Sequence, residues 1–300
     1  MMELLKDTSF DFIAWRKKAF IISALLAALG LFSFIMISIG KANLSVDFTG
    51  GTNIQIRFKE RVEISTLRKA MVDGGIEDVQ IQEISGTNDF FVKTKLSDTQ
   101  KDTIQAKISS ILSTQMKDKK FEILGSSMVG AGVGKALKKY AIIATCLAFV
   151  GIIIYIAWRF TFISGIAATI ATFHDVFAVL GIFYILDKEL NLLIITALLT
   201  IAGYSLQDTV VVFDRIRENM AKMKSKSDFG NVINRSINEV LSRTIVTGIS
   251  TLIALGALMI FGGEVLFDFS LALVIGLVVG TYSSIFVASP LIFMWRQRVR

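Results

Sequence analysis

Apolar residues run along this chain in six long blocks, and between the first and second block they alternate with polar residues instead. A helix needs roughly 20 mostly apolar residues to cross the hydrocarbon layer of a bilayer. The stretches 19–39, 137–158, 162–186, 190–213, 243–262 and 267–295 are each read as one such span. Backbone N–H and C=O groups find no partner in lipid, so every span is expected to be an α-helix. The first span follows Arg16-Lys17-Lys18 and lacks a small-x-small cleavage site, so it reads as a retained anchor.

The segment 40–136 has a different rhythm. Ser45–Phe58 reads as a strand broken by Gly50-Gly51, followed by a helix over Ser65–Asp73 with Ser65 as N-cap and Gly74-Gly75 as its stop. Val79–Ile84 and Phe90–Leu96 alternate like paired strands around a turn at Gly86–Asp89. A second helix is expected from Ser97-Asp98 to about Met116, and a last strand at Phe121–Leu124. That order, β-α-β-β-α-β, is the ferredoxin-like split βαβ pattern. The fold class is therefore a polytopic α-helical membrane protein carrying one α+β ferredoxin-like domain between its first two spans.

Composition agrees with a chain that lives in lipid: 53% of residues are hydrophobic and 19% charged. One cysteine, Cys146, excludes an internal disulfide, and one histidine, His174, excludes a Cys/His zinc site. No catalytic cluster, cofactor site or metal site is expected, and the chain is not read as an enzyme. The net charge of +7 is a membrane-surface signal rather than a nucleic-acid one, because of where the cations fall. With the N-terminus (1–18) placed inside, fifteen Lys and Arg lie inside, in 1–18, at Arg159, in the 214–242 loop with Arg243, and in the tail 296–300. The two short outer loops hold only Lys188. Both termini are thus expected in the cytoplasm and 40–136 outside.

Several motifs carry candidate chemistry. Residues 125–136 look like a phosphate loop, but Val129 stands where its first glycine belongs and Ala136 where its hydroxyl residue belongs. A flexible connector is expected there, with Gly130, Gly132 and Gly134 as hinge candidates. Asp208 lies in the fourth span on one face with Thr200, Tyr204 and Ser205. An ionised residue in lipid costs about 2.5–3.5 kcal/mol on insertion scales and is a functional candidate by default; the alternative is an acid touching headgroups. Arg243 opens the fifth span at a similar depth, sharing a face with Thr247, Ser250 and Thr251. It either pairs with Asp208 or snorkels to the interface. His174-Asp175 sits mid-span, beside a stripe of Ser164, Ala168 and Thr172, and serves either proton handling or an interhelical hydrogen bond. Gly276 and Gly280 form a Gly-x-x-x-Gly, extended by Ser284, a close-packing signal toward another helix or a partner chain.

Four stretches together resemble the SecD/SecF family of paired membrane subunits in bacterial protein secretion, on the side of its smaller member. They are Val46-Asp-Phe-Thr-Gly-Gly51, Phe173-His-Asp-Val176, Gly203-Tyr-Ser-Leu-Gln-Asp-Thr-Val-Val-Val-Phe-Asp-Arg-Ile-Arg-Glu-Asn219 and Ser242-Arg-Thr-Ile-Val-Thr247. Gln207 stands where the family has Asn, and Ala131 where it has Pro. The resemblance implies a half bundle of the resistance-nodulation-division type in the bacterial cytoplasmic membrane. It implies use of the proton-motive force, with Asp208 and Arg243 at the positions of the family's intramembrane acid and arginine. It also implies SecD, the SecYEG translocon, YajC or YidC, and secreted preproteins as partners. The rival readings are a small-molecule efflux transporter half of the same superfamily and a passive scaffold.

The charge pattern makes a prediction. Introduced cysteines at 60–120 should react with an impermeant thiol reagent from outside, and those at 222–228 should not. Adding Lys or Arg within Glu264–Asp268 should lower the fraction of chains with this orientation.

Overall fold

The computed structural model describes residues 8–76, 79–84, 87–94, 101–222 and 229–298, with backbone alone at 101–103, 131, 264–265 and 298. The chain divides into two compact units, residues 44–142 and the rest.

In the smaller unit the period-2 alternation folds as expected in kind and differs in detail. Helix α2 (Val46–Thr49) is one turn, capped by Ser45, whose Oγ accepts from Asp47 N at 3.0 Å. The strand expected over Ser45–Phe58 therefore begins only at Gly51: β1 is Gly51–Phe58. Gly50 and Gly51 have φ of 71° and 127°, and this left-handed pair turns the helix exit into the strand. Helix α3 is Ile64–Asp73, and its N-cap is Glu63 rather than Ser65; the Ser65 hydroxyl instead donates to Glu63 Oε2 at 3.2 Å. Gly74 and Gly75 stop it as expected.

Strands β2 (Val79–Glu83) and β3 (Asp89–Thr94) pair antiparallel. Asp89 is the first residue of β3 rather than part of the turn; its buried carboxylate takes two hydrogen bonds of 2.7 Å from Arg57, opposite it on β1. Helix α4 is Lys101–Gln115; the start expected at Ser97-Asp98 lies outside the described residues. Strand β4, Phe121–Val129, is five residues longer than expected.

The sheet order is β2-β3-β1-β4 with every neighbouring pair antiparallel, which is the split βαβ, ferredoxin-like topology. Ile54, Ile56 and Phe58 alternate onto one face of β1, and there they meet Leu67 and Met71 of α3, Phe90 and Val92 of β3, and Ile108 and Leu112 of α4.

The flexible connector of 125–136 is corrected. Its first half is strand, and helix α5 (Ala131–Arg159) starts at once, leaving Gly130 between them. Gly132 and Gly134 are helical, and a Cβ on Gly134 would lie 2.8 Å from Gly50 N.

Among the described residues, six helices are long and apolar enough to cross a membrane. They are α1 (Arg16–Ser38), α5, α6 (Phe162–Ile185), α7 (Leu192–Ala221), α8 (Phe229–Phe261) and a composite last helix. That helix is α9 (Gly263–Ser283), a π-turn (Ser284–Ala288) and α10 (Ser289–Arg298). Pro290 has no N–H to continue the α-helical ladder, and Ser289 Oγ bridges the widened turn to Ser284 O at 2.9 Å.

Helices α7 and α8 extend well into 214–242, so most of that loop is helical. Helix α6 is the buried centre, and α1 crosses it where a Cβ on Gly30 would strike Phe177 O at 2.1 Å. Residues 10–13, ahead of α1, form a strap on α8. Asn238 accepts from Phe10 N and donates to Phe10 O, and Asn234 accepts from Ile13 N while donating to Asp11. Phe12 and Ile13 enter the core of the bundle.

A fragment spanning 44–130 should fold alone with mixed α/β circular dichroism. Ile56→Ala in it should cost about 2–5 kcal/mol by urea unfolding, because a fully buried side chain leaves a cavity.

Candidate functional site

The polar residues of the bundle gather where α6, α7 and α9 meet. Helix α7 starts cleanly because Asn191 caps it, accepting from Ile194 N at 2.9 Å. The chain before it is held by Leu190 N donating to Asn43 O at 2.8 Å and Asn43 Nδ2 donating to Asp187 O at 3.1 Å. On the same side Lys188 pairs with Asp268 of α9 at 2.7 Å.

Small residues then bring α9 onto α7. A Cβ on Gly276 would lie 2.4 Å from Ile201 Cδ1, and one on Gly280 would lie 3.0 Å from Ser205 Cβ. The Gly-x-x-x-Gly thus packs within this chain.

Close approach aligns the hydroxyls. Asp175 of α6 is fully enclosed, at 0% exposure. Its Oδ2 accepts from Ser205 Oγ of α7 and, at 2.6 Å, from Ser283 Oγ of α9. Its Oδ1 lies 2.9 Å from His174 Nδ1. His174 is buried too, and its Nε2 has no hydrogen-bond partner among the described residues. Three residues beyond Ser205, Asp208 is half-buried and accepts from Thr281 Oγ1 of α9 at 3.3 Å.

Arg243 of α8 is exposed and forms no ion pair with Asp208 within 4.0 Å. The shared face of α7 and α8 is closed instead by Tyr204 OH against Thr251 Oγ1 at 3.3 Å. Beside it runs a polar exposed stripe: Thr196, Thr200 and Gln207 on α7, and Arg243, Thr247 and Ser250 on α8. Thr196, Thr200, Thr247 and Ser250 donate to carbonyls one turn back in their own helices, so these hydroxyls need no outside acceptor.

Residues 107–298 match the family model of the protein export membrane protein SecD/SecF, C-terminal, and residues 37–60 match the SecD/SecF GG motif. The chain belongs to the SecD/SecF family. It is 50% identical over 295 residues to the protein translocase subunit SecF of Thermodesulfovibrio yellowstonii, covering 98% of this chain and 97% of that one. It is 37% identical to the SecDF of Thermus thermophilus, whose crystal structure, titled as a translocon-associated membrane protein, superposes with a TM-score of 0.85 over 97% of this chain. A second SecDF crystal structure, in the super-membrane-facing form, gives 0.69 at 35% identity over 98% of this chain. The chain spans 39% and 40% of those two structures.

The family's GG motif contains Gly50 and Gly51, where the positive-φ turn sits. Like its relatives the chain is a multi-pass membrane protein. Of the residues singled out from the sequence, the structure brings together His174, Asp175, Gly276 and Gly280, with Asp208 one turn away; Arg243 stands apart. Sequence reasoning missed Ser283 and Thr281 of α9. The signal was present: Gly276, Gly280 and Ser283 share one helical face at four- and three-residue spacing.

Gly276→Ala should destabilise the purified protein in detergent by about 1–3 kcal/mol through overpacking against Ile201. Adding Ile201→Ala should recover part of that loss in the same thermal-unfolding assay, because the two positions touch.

Proposed function

We propose that this chain is the SecF-type half of a two-part membrane machine that uses the proton-motive force to promote protein translocation across the bacterial cytoplasmic membrane. The reading takes both termini as cytoplasmic and the ferredoxin-like domain as external. One observation carries it: Asp208, a half-buried carboxylate on a spanning helix, accepts from one hydroxyl among the described residues, and Arg243 of α8 makes no ion pair with it. A carboxylate held that loosely exchanges a proton as its surroundings change, since burial favours the neutral acid and a cation favours the ion. One charge crossing 100 mV is worth about 2.3 kcal/mol, enough to bias a conformational equilibrium roughly fiftyfold.

The polar stripe of α7 and α8 supports a partner within the membrane. Arg243 and Gln207 on a lipid-facing surface would be costly, and they fit against polar helices of SecD. That this chain spans 39% of the SecDF of Thermus thermophilus supports SecD as the complement; SecYEG, YajC or YidC and preproteins are the further partners of the proposal. Gly130, between β4 and α5, is the proposed hinge, ahead of Gly132 and Gly134.

The test is proton-gradient-stimulated export in inverted vesicles, with SecD assembly as control. Asp208→Asn should lower stimulated export by an order of magnitude or more without disturbing assembly. Arg243→Lys should also be clearly impaired, because it keeps the charge and loses the planar fork. Normal export by Asp208→Asn overturns the proton-carrier reading, and normal export by Arg243→Lys reduces Arg243 to an interfacial cation.

A further inference from the structure

Asp175 is the more deeply buried of the two intramembrane acids, and its surroundings differ in kind from those of Asp208. A proton carrier needs one open side. Asp208 has it, being half-buried next to exposed Gln207 on its own helix. Asp175 has none: it is fully enclosed, and its three donors come from three separate positions, His174 beside it on α6, Ser205 on α7 and Ser283 on α9.

Those two serines flank the carrier. Ser205 precedes Asp208 by three residues, about 4.5 Å along the α7 axis. Ser283 follows Thr281, the hydroxyl that Asp208 meets, by two residues. Above them α9 rests on α7 through Gly276 on Ile201 and Gly280 on Ser205, a contact that permits closeness but resists sliding only through shape. Just past Ser283 the helix widens into the π-turn Ser284–Ala288, where the usual ladder that stiffens it is interrupted.

We propose that Asp175 is a positioning residue: its carboxylate clamps Ser205 to Ser283 and thereby sets the register of α7 against α9 in which Thr281 reaches Asp208. This rests on the reading of Asp208 as proton carrier. The clamp works by hydrogen-bond count. A carboxylate accepts from several donors at once, so one oxygen holds two hydroxyls on different helices while His174 fixes the other. No proton needs to enter or leave Asp175 for that role.

The distinction is testable because asparagine reproduces the clamp. Its amide oxygen accepts from both serines as Oδ2 does, and its NH₂ donates to His174 Nδ1. The imidazole then carries its own proton on Nε2, which has no partner among the described residues to be displaced. In full complexes with SecD, Asp175→Asn should keep at least about half of proton-stimulated export. Asp175→Ala, and separately Ser205→Ala with Ser283→Ala, should reduce it about tenfold or more. The serine pair matters because it leaves every titratable group in place and avoids the folding problems that truncating the buried Asp175 side chain could cause.

A spectroscopic readout separates positioning from general damage. The infrared carboxyl band of protonated Asp208, assigned by its loss in Asp208→Asn, should shift to higher frequency in the serine pair and stay put in Asp175→Asn. Asp175→Asn abolishing export would make Asp175 a carrier and overturn the proposal. So would an unshifted Asp208 band in the serine pair. If Asp208→Asn itself exports normally, the carrier reading fails; the clamp is then judged by whether cysteines at 201 and 276 still cross-link in the serine pair, retained cross-linking overturning it and lost cross-linking supporting it.

Discussion

A polar group surrounded by hydrocarbon stays only where a partner meets it, and the helix bundle is arranged around one such meeting. Asp175 receives hydroxyls from two other helices and an imidazole from its own. For that to happen α7 and α9 must touch backbone to backbone, which is why α9 carries glycine opposite Ile201 and Ser205. It also needs α6 at the centre, lined with Gly165, Ala167, Ala168 and Ala171, so that neighbours can close on it. Small residues supply the geometry and the hydroxyls supply the direction; in lipid, where apolar contact gives little preference for one register over another, direction has to come from such bonds.

The contrast between the two acids follows from the same constraint. Asp175 is met on every side and is held. Asp208 is met once, at 3.3 Å, with a cation nearby that does not close on it. A bundle in which both were fully satisfied would have no loosely held charge, and one in which neither was would lose its register. The exposed hydroxyls of α7 and α8 show an intermediate solution, since each turns back onto its own helix.

Much of the architecture was legible because it is written in period and length. Six apolar runs near 20 residues became six helices, and alternation in 45–124 became a sheet with the split βαβ order. The details that escaped depend on contacts between distant residues or on backbone angles. Val46–Thr49 is too short and too apolar to betray a helix, and it forms because Ser45 caps it and two positive-φ glycines follow. β4 runs on to Val129 because β1 offers partners as far as Gly51, which nothing in Gly125–Val129 itself announces. At the site, Asp208 and the His174-Asp175 pair stood out as charges in apolar sequence. Ser205 appeared as part of the face bearing Asp208, and Ser283 did not, because the Gly276-Gly280 face was continued at four-residue spacing to Ser284 rather than at three-residue spacing to Ser283. The ion pair between Asp208 and Arg243 was suggested by similar depth, by their polar faces and by the family resemblance, none of which specifies the direction a side chain takes.

The strap before α1 bears on how such a chain is made. Phe10 is bonded to Asn238, 228 residues later, and Phe12 and Ile13 fill space against residues of α7, α8 and the last helix. During synthesis the first helix enters the membrane long before its seat exists. The strap must wait, with two large apolar side chains uncovered, until the eighth helix has left the ribosome. Closure of the bundle is therefore a late event in biogenesis, and Phe10, Phe12 and Ile13 are among the last residues to find their place.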